Sequence, residues 1–346
     1  MRVKKEVICI LLMAMTMLLN ACSSDESGAQ TVTTGEEPVG KQVQLMTYAP
    51  YFTEKEAPRR APSGFTAYTP DKVTDIGIYM LESTTAPYTE NYIRYATKWY
   101  AHFDVDANTP YTVYGYMPKI TGMSSSLSSV TSDGATMTIN GIKPVTADDI
   151  CIITGVKETD TGLKEGQFGW RMENANDNFY MYLLMDHLYA SVKFSLKVSE
   201  EYAQLRTIKL KTMTLSVNKA SVNAAVTLHN TEGTSPITSV TYTLTTGDNC
   251  AAEIFNDAEG QALSSTTPIA VSACFVPTLS SDLTLFSTYD VYDSKGNLIR
   301  ANCKATNKIP NLEASRGQRV QLNMKVDPTY LYVMSDKDLD NLFTIE

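Results

Sequence analysis

The sequence is poor in the groups that carry most enzyme chemistry. It has three histidines in 346 residues. His102, His187 and His229 lie far apart, with no zinc-type spacing and no His-Glu-x-x-His pair. His187, in Met185-Asp186-His187-Leu188-Tyr189, is read as a packed or hydrogen-bonded histidine entering a strand. A Gly-x-Ser-x-Gly elbow, a P-loop and a dinucleotide fingerprint are all missing. Charged residues reach only 19%, below the ~25% typical of soluble proteins. The net charge of -9, from 29 basic and 38 acidic residues, denies the chain the basic face that nucleic-acid binding requires. Asp104-Val105-Asp106-Ala107-Asn108 opens like a calcium loop, but Thr109 replaces the turn glycine and Gly115 the bidentate glutamate. Asp336, Asp338 and Asp340 read as a solvated acidic tail. Asp148 and Asp149, being adjacent, would point to opposite faces of a strand, which suits a turn or cap better than a catalytic pair. These absences set four expectations: no catalytic residue, no metal, no cofactor and no nucleic-acid partner.

Apolar residues make up 43% of the chain, enough for a real core. Twenty tyrosines and ten phenylalanines, with abundant Thr, Ser and Val, favour strands. The length allows about two domains at ~150 residues each. Arg2, Lys4 and Lys5 precede the apolar run Val7–Leu19, whose 13 residues fall short of the ~20 that span a bilayer. Residues 1–21 therefore read as a secretory signal. The segment ends Leu19-Asn20-Ala21-Cys22, which resembles the bacterial lipobox, with Cys22 as the lipidated residue. Acyl chains on Cys22 would anchor the protein to an outer membrane without spanning it. Ser23-Ser24-Asp25-Glu26 resembles the export tags of Bacteroides surface lipoproteins, and reads equally well as a solvated linker.

Val43, Leu45 and Thr47 alternate with polar neighbours and predict a half-buried strand. The charged, proline-bracketed stretch Glu54–Pro62 follows, an exposed loop open to proteases at Arg59 and Arg60. From Asp75 on, short strand-like runs recur at sandwich spacing, among them Ile76–Met80, Tyr111–Met117 and Ala135–Ile139. Ser191–Val198 and Thr207–Leu215 alternate cleanly, and Tyr289–Tyr292 turns through Asp293–Asn297 into Leu298–Arg300 as a hairpin. The polar run Glu173–Asn178 marks a domain boundary, which divides the chain into residues 61–180 and 181–326. Val320, Leu322, Met324 and Val326 form a further alternating strand. Residues 327–346 follow it as a surplus, led by Tyr330, Leu331, Tyr332, Val333 and Met334. Cys151, Cys250, Cys274 and Cys303 allow three disulfide pairings or buried free thiols, and the spacing does not choose among these.

Taken in order, several segments resemble the fimbrillin family of Bacteroidetes, the Mfa-like and FimA-like pilins of type V pili. They are the lipobox at Cys22, Tyr111–Pro118, Val145–Ile150, Asp186–Phe194 and the ending Pro328–Val333. The resemblance implies an all-β fold of two transthyretin-like Greek-key β-sandwich domains in tandem. It also implies an exported lipoprotein whose lipid-linked segment, residues 22–60, is removed by an arginine-specific protease at Arg59 or Arg60. The displaced strand would then be the one holding Val43, Leu45 and Thr47. The donor that refills its groove in the next subunit would be residues 327–346, with Tyr330 to Met334 inserting head to tail. The alternative is a monomeric surface lipoprotein that binds glycan or host ligand on tyrosine platforms.

Overall fold

The computed structural model describes residues 43–54, 65–68, 75–93, 99–101, 112–156, 169–175, 178–229, 237–278, 283–310, 312–326 and 343–345. Strands dominate them. The first group is β1 (Val43–Pro50), β2 (Thr53–Glu54), β3 (Phe65–Tyr68), β4 (Asp75–Leu81), β5 (Asn91–Ile93), β6 (Trp99–Ala101), β7 (Thr112–Lys119) and β8 (Ser124–Ser128). Next come β9 (Gly134–Ile142), β10 (Cys151–Val156), β11 (Gly169–Ala175), β12 (Asn178–Leu184), β13 (Asp186–His187) and β14 (Ala190–Val198). After a single turn of helix, α1 (Glu200–Leu205), follow β15 (Arg206–Val217), β16 (Ser221–His229), β17 (Ile237–Thr245), β18 (Cys250–Ala262), β19 (Ile269–Ala270) and β20 (Cys274–Val276). The last are β21 (Leu283–Asp293), β22 (Leu298–Ile309), β23 (Gln318–Val326) and β24 (Phe343–Ile345). Ser199 caps α1 by accepting a hydrogen bond from the Tyr202 amide.

Four sheets result. A ten-stranded sheet runs β11-β12-β1-β6-β5-β4-β7-β10-β13, with β3 paired to β1. A four-stranded sheet, β17-β16-β9-β8, shares a core with it, in which Tyr79, Tyr114, Tyr116, Met137, Ile139, Ile152, Tyr189 and Val226 are fully buried. The second pair is the six-stranded sheet, β19-β14-β23-β2 with β20 on β14 and β24 on β23, and the four-stranded sheet β18-β15-β21-β22. Their common core holds Phe194, Leu196, Leu210, Met213, Leu215, Leu285, Tyr289 and Met324. The architecture is layered and all-β.

The period-2 runs became strands because each has one face to bury. In β14 the pattern is sharp: Val192, Phe194, Leu196 and Val198 are buried while Lys193, Ser195 and Lys197 are half-exposed. The hairpin read from Tyr289 to Arg300 is β21–β22. Its turn is closed by the Asp293 carboxylate, which accepts from the amides of Lys295 and Asn297, and by Gly296 at φ +83°. Five of the largest fully buried side chains are tyrosines (Tyr79, Tyr114, Tyr116, Tyr189 and Tyr289), so these serve as core and not as a stacking platform. The four cysteines left open above, Cys151, Cys250, Cys274 and Cys303, are free thiols.

β11 and β12 are antiparallel neighbours in which Ala175 faces Asn178, and residues 180 and 181 both lie in β12. Moreover, β16 pairs with β9, so β16 and β17 lie in a sheet with strands from the first half of the chain. The strand of Val43, Leu45 and Thr47, β1, has neighbours on both sides.

Candidate functional site

Alternation in the first strand dictates its seat. Thr47 and Ala49 are buried and Tyr48 and Pro50 half-buried, as a strand with one core-facing side requires. β1 runs parallel to β12, with Val43 opposite Phe179, Leu45 opposite Met181 and Thr47 opposite Leu183. Its other edge pairs antiparallel with β6 at residues 43–45 and with β3 at residues 47–50. A parallel pair cannot be closed by a tight hairpin, so β1 was brought to β12 by the fold as a whole. Tyr51 and Phe52 then carry the chain to β2, which pairs parallel with β23 in the six-stranded sheet. One short segment thus crosses from the first sheet pair to the second.

Side chains and carbonyls fasten this crossing. The Tyr48 carbonyl accepts from the Met185 amide at 2.7 Å, and the Pro50 carbonyl lies 2.7 Å from Nε2 of His187. The Phe52 ring stacks on the His187 ring, with centroids 3.8 Å apart, and leans on Phe275. The Thr53 amide donates to the carbonyl of Gly317, whose φ of +69° suits glycine. Arg319 reaches the exposed Glu54 carboxylate at 3.3 Å.

Beneath the crossing lies a buried polar cluster. β10 and β13 place Cys151 directly opposite His187, and Asp149 lies in the stretch just before β10. Nδ1 of His187 is 2.9 Å from a carboxylate oxygen of Asp149 and 3.8 Å from Sγ of Cys151. His187 is 1% exposed, Cys151 0% and Asp149 8%. Burial alone would lower the His187 pKa, but the hydrogen bond to Asp149 and the negative charge on it, with the Pro50 carbonyl, raise it on balance. A second ion pair braces the same edge. Arg316 donates to the Asp186 carboxylate at 2.6 Å and to the carbonyls of His187 and Ile237, tying β13 to β17. By contrast Cys274, elsewhere in the second core, is a thiol pushed up to about 12 by burial.

Of the residues singled out from sequence, Val43, Leu45 and Thr47 lie together on β1. Cys22, Arg59, Arg60 and the group Tyr330, Leu331, Tyr332, Val333 and Met334 lie outside the described residues. The tail's last strand, β24, pairs antiparallel with β23 of its own chain. Sequence reasoning did not single out Pro50 or Phe52, and it read His187 as a packed or hydrogen-bonded histidine, Asp149 as part of a turn or cap and Cys151 as a free thiol or bridge, without bringing them together. No spacing in the sequence marks the cluster, because Asp149 precedes β10 and His187 reaches it only through the pairing of β10 with β13.

No protein-family model and no curated protein matches this chain. Solved structures similar to it include a candidate cell adhesion protein from Bacteroides ovatus ATCC 8483, at 12% identity, covering 89% of this chain and 97% of that one, with a TM-score of 0.37. A fimbrial protein from Bacteroides vulgatus ATCC 8482 is 12% identical over 89% and 98% of the two chains, with a TM-score of 0.36. The fimbrial anchor protein Mfa2 from Porphyromonas gingivalis is 9% identical over 87% and 95%, with a TM-score of 0.23. Their names agree in kind with the resemblance read from the sequence.

Proposed function

We propose that this chain is a structural subunit of a surface fimbrium that contributes to adhesion. It is exported as a lipoprotein on Cys22 and assembled by proteolysis-triggered strand exchange with other copies or related subunits. The two sheet pairs are read as two tandem β-sandwich domains of transthyretin-like Greek-key type. The observation that carries the proposal is the seat of residues 43–54. They form a discrete segment inserted between β12 and the β3 and β6 edge, and its far end lies on β23. The arginine pair Arg59-Arg60 follows within a few residues. Cutting there and releasing the segment would open the ten-stranded sheet and bare one edge of β23.

A bared edge is a template for another chain: main-chain hydrogen bonds supply affinity, and alternate side chains supply register. A strand entering such a slot buries side chains at roughly 1.5–3 kcal/mol each, before ordering costs. Insertion of one subunit's tail into the next is heterologous and need not close, so it builds filaments. No helix of the described residues is long and apolar enough to cross a membrane, and attachment is assigned to lipid on Cys22.

The test is limited trypsin treatment of the exported chain. A mature N-terminus at Arg60 or Ala61, followed by a ladder of SDS-resistant oligomers that vanishes when residues 327–346 are deleted, is the expected result. A ladder unchanged by that deletion rules out the tail as donor.

A further inference from the structure

We propose that Asp149, Cys151 and His187 form a binding site for one divalent ion of the zinc type, closed over by the N-terminal segment. The carboxylate, thiol and imidazole donor atoms lie within 4.8 Å of one another, and all three residues are buried. Cys151 and His187 are a directly opposed pair on β10 and β13, and Asp149, just before β10, joins them through its 2.9 Å contact with Nδ1 of His187.

The hydrogen bonding narrows what can sit among them. The Pro50 carbonyl can only accept, so Nε2 of His187 carries the hydrogen of their 2.7 Å contact. Nδ1 is left facing a carboxylate oxygen at 2.9 Å and a sulfur at 3.8 Å. A cation belongs between three such donors: a proton, which satisfies only the Nδ1–Asp149 pair, or a metal ion, which engages all three. The sulfur–nitrogen separation of 3.8 Å is a few tenths of an ångström longer than the edge of about 3.5 Å that a tetrahedral ion with Zn–S near 2.3 Å and Zn–N near 2.0 Å imposes.

Three further features suit an ion. A carbonyl on the far ring nitrogen is the outer-shell partner that fixes the tautomer and orientation of a ligating histidine. A divalent ion with one thiolate, one carboxylate and a neutral imidazole is charge-neutral, as a buried site demands. The Phe52 ring covers the imidazole, is itself backed by Phe275, and leaves His187 1% exposed. Imidazole with thiolate favours zinc-like and other borderline or soft ions over calcium or magnesium. The fourth position falls to the second Asp149 oxygen or to a water.

The experiment refolds the uncleaved chain with Co²⁺, removes free metal by gel filtration, and measures metal content and the absorption spectrum. The expected result is one cobalt per chain, with a thiolate-to-cobalt charge-transfer band and the strong visible bands of tetrahedral cobalt, all displaced by Zn²⁺. Cys151→Ser abolishes the charge-transfer band, and His187→Gln and Asp149→Asn each weaken retention at least tenfold. Cys274→Ser, which removes a buried thiol elsewhere, leaves the spectrum unchanged. A chain of native circular dichroism that retains no cobalt, or a band that survives Cys151→Ser, overturns the proposal. Should Cys151→Ser not fold, X-ray absorption of the zinc-loaded wild-type chain decides: one sulfur neighbour supports the site and a sulfur-free shell overturns it. The ion is loaded into uncut protein, so the result is independent of the processing scheme.

Discussion

At the N-terminal end of the described chain, β1 has a partner on each edge and β2 runs on along β23. At the C-terminal end, β24 pairs through three residues with β23 alone. β14 occupies one edge of β23 along residues 319–326, so β2 at residues 318–319 and β24 at residues 324–326 share the other edge. The two ends therefore meet on a single strand, but they are held very differently. The N-terminal end is locked by a buried cluster, a ring stack and two sheets, and the C-terminal end by a few ladder bonds. The difference teaches that a cut at Arg59 or Arg60 does not by itself free the segment. The backbone pairing, the Pro50–His187 contact and the Phe52 stack remain until something competes with them.

The comparison can be broken most severely at Ala49, which is fully buried on β1. Ala49→Asp places an unpaired charge in a core and is expected to lower unfolding free energy by at least about 3 kcal/mol, measured by urea denaturation. Phe52→Ala removes the ring over His187 and is expected to cost about 1–3 kcal/mol and to speed loss of the segment after cleavage. Fragment retention on gel filtration checks it.

The proton at His187 gives a sharper probe. With metal removed by chelator, its raised folded-state pKa means that the ion pair to Asp149 contributes fully below the ordinary histidine value near 6.5. That contribution is lost as pH rises through the higher folded value, so the segment should be released more readily on the alkaline side. Release measured against pH checks this, and His187→Gln flattens the profile. The smallest effect is expected at the other end: removing residues 343–346 should change stability by about 1 kcal/mol or less, since a short, singly paired strand frays.

Much of the fold was legible because the signals were local. Val192 to Val198 and Val320 to Val326 alternate, and Asp293 with Gly296 writes its own turn, so β14, β23 and the β21–β22 hairpin could be read directly. β1 was legible as a half-buried strand from Val43, Leu45 and Thr47. Its neighbours were not, because parallel pairing with β12 carries no short-range mark. The pairing of β11 with β12 on either side of the polar run Glu173–Asn178 was not legible, because composition alone does not say which strands a polar run separates. The Asp149–Cys151–His187 cluster was invisible for a related reason. Its thiol and imidazole are 36 residues apart in sequence, and only the β10–β13 register brings them together.

The central claim is that residues 43–54 are an exchangeable strand whose place another copy can take. The most direct measurement follows the trypsin-cut chain through a shallow urea series, recording segment retention and oligomer size by native mass spectrometry in the same samples. The account predicts that monomers keep the noncovalently bound segment, that oligomers appear only as it leaves, and that added peptide 43–54 suppresses them. A body that loses the segment yet stays folded and monomeric, or oligomers that still carry it, would contradict the account.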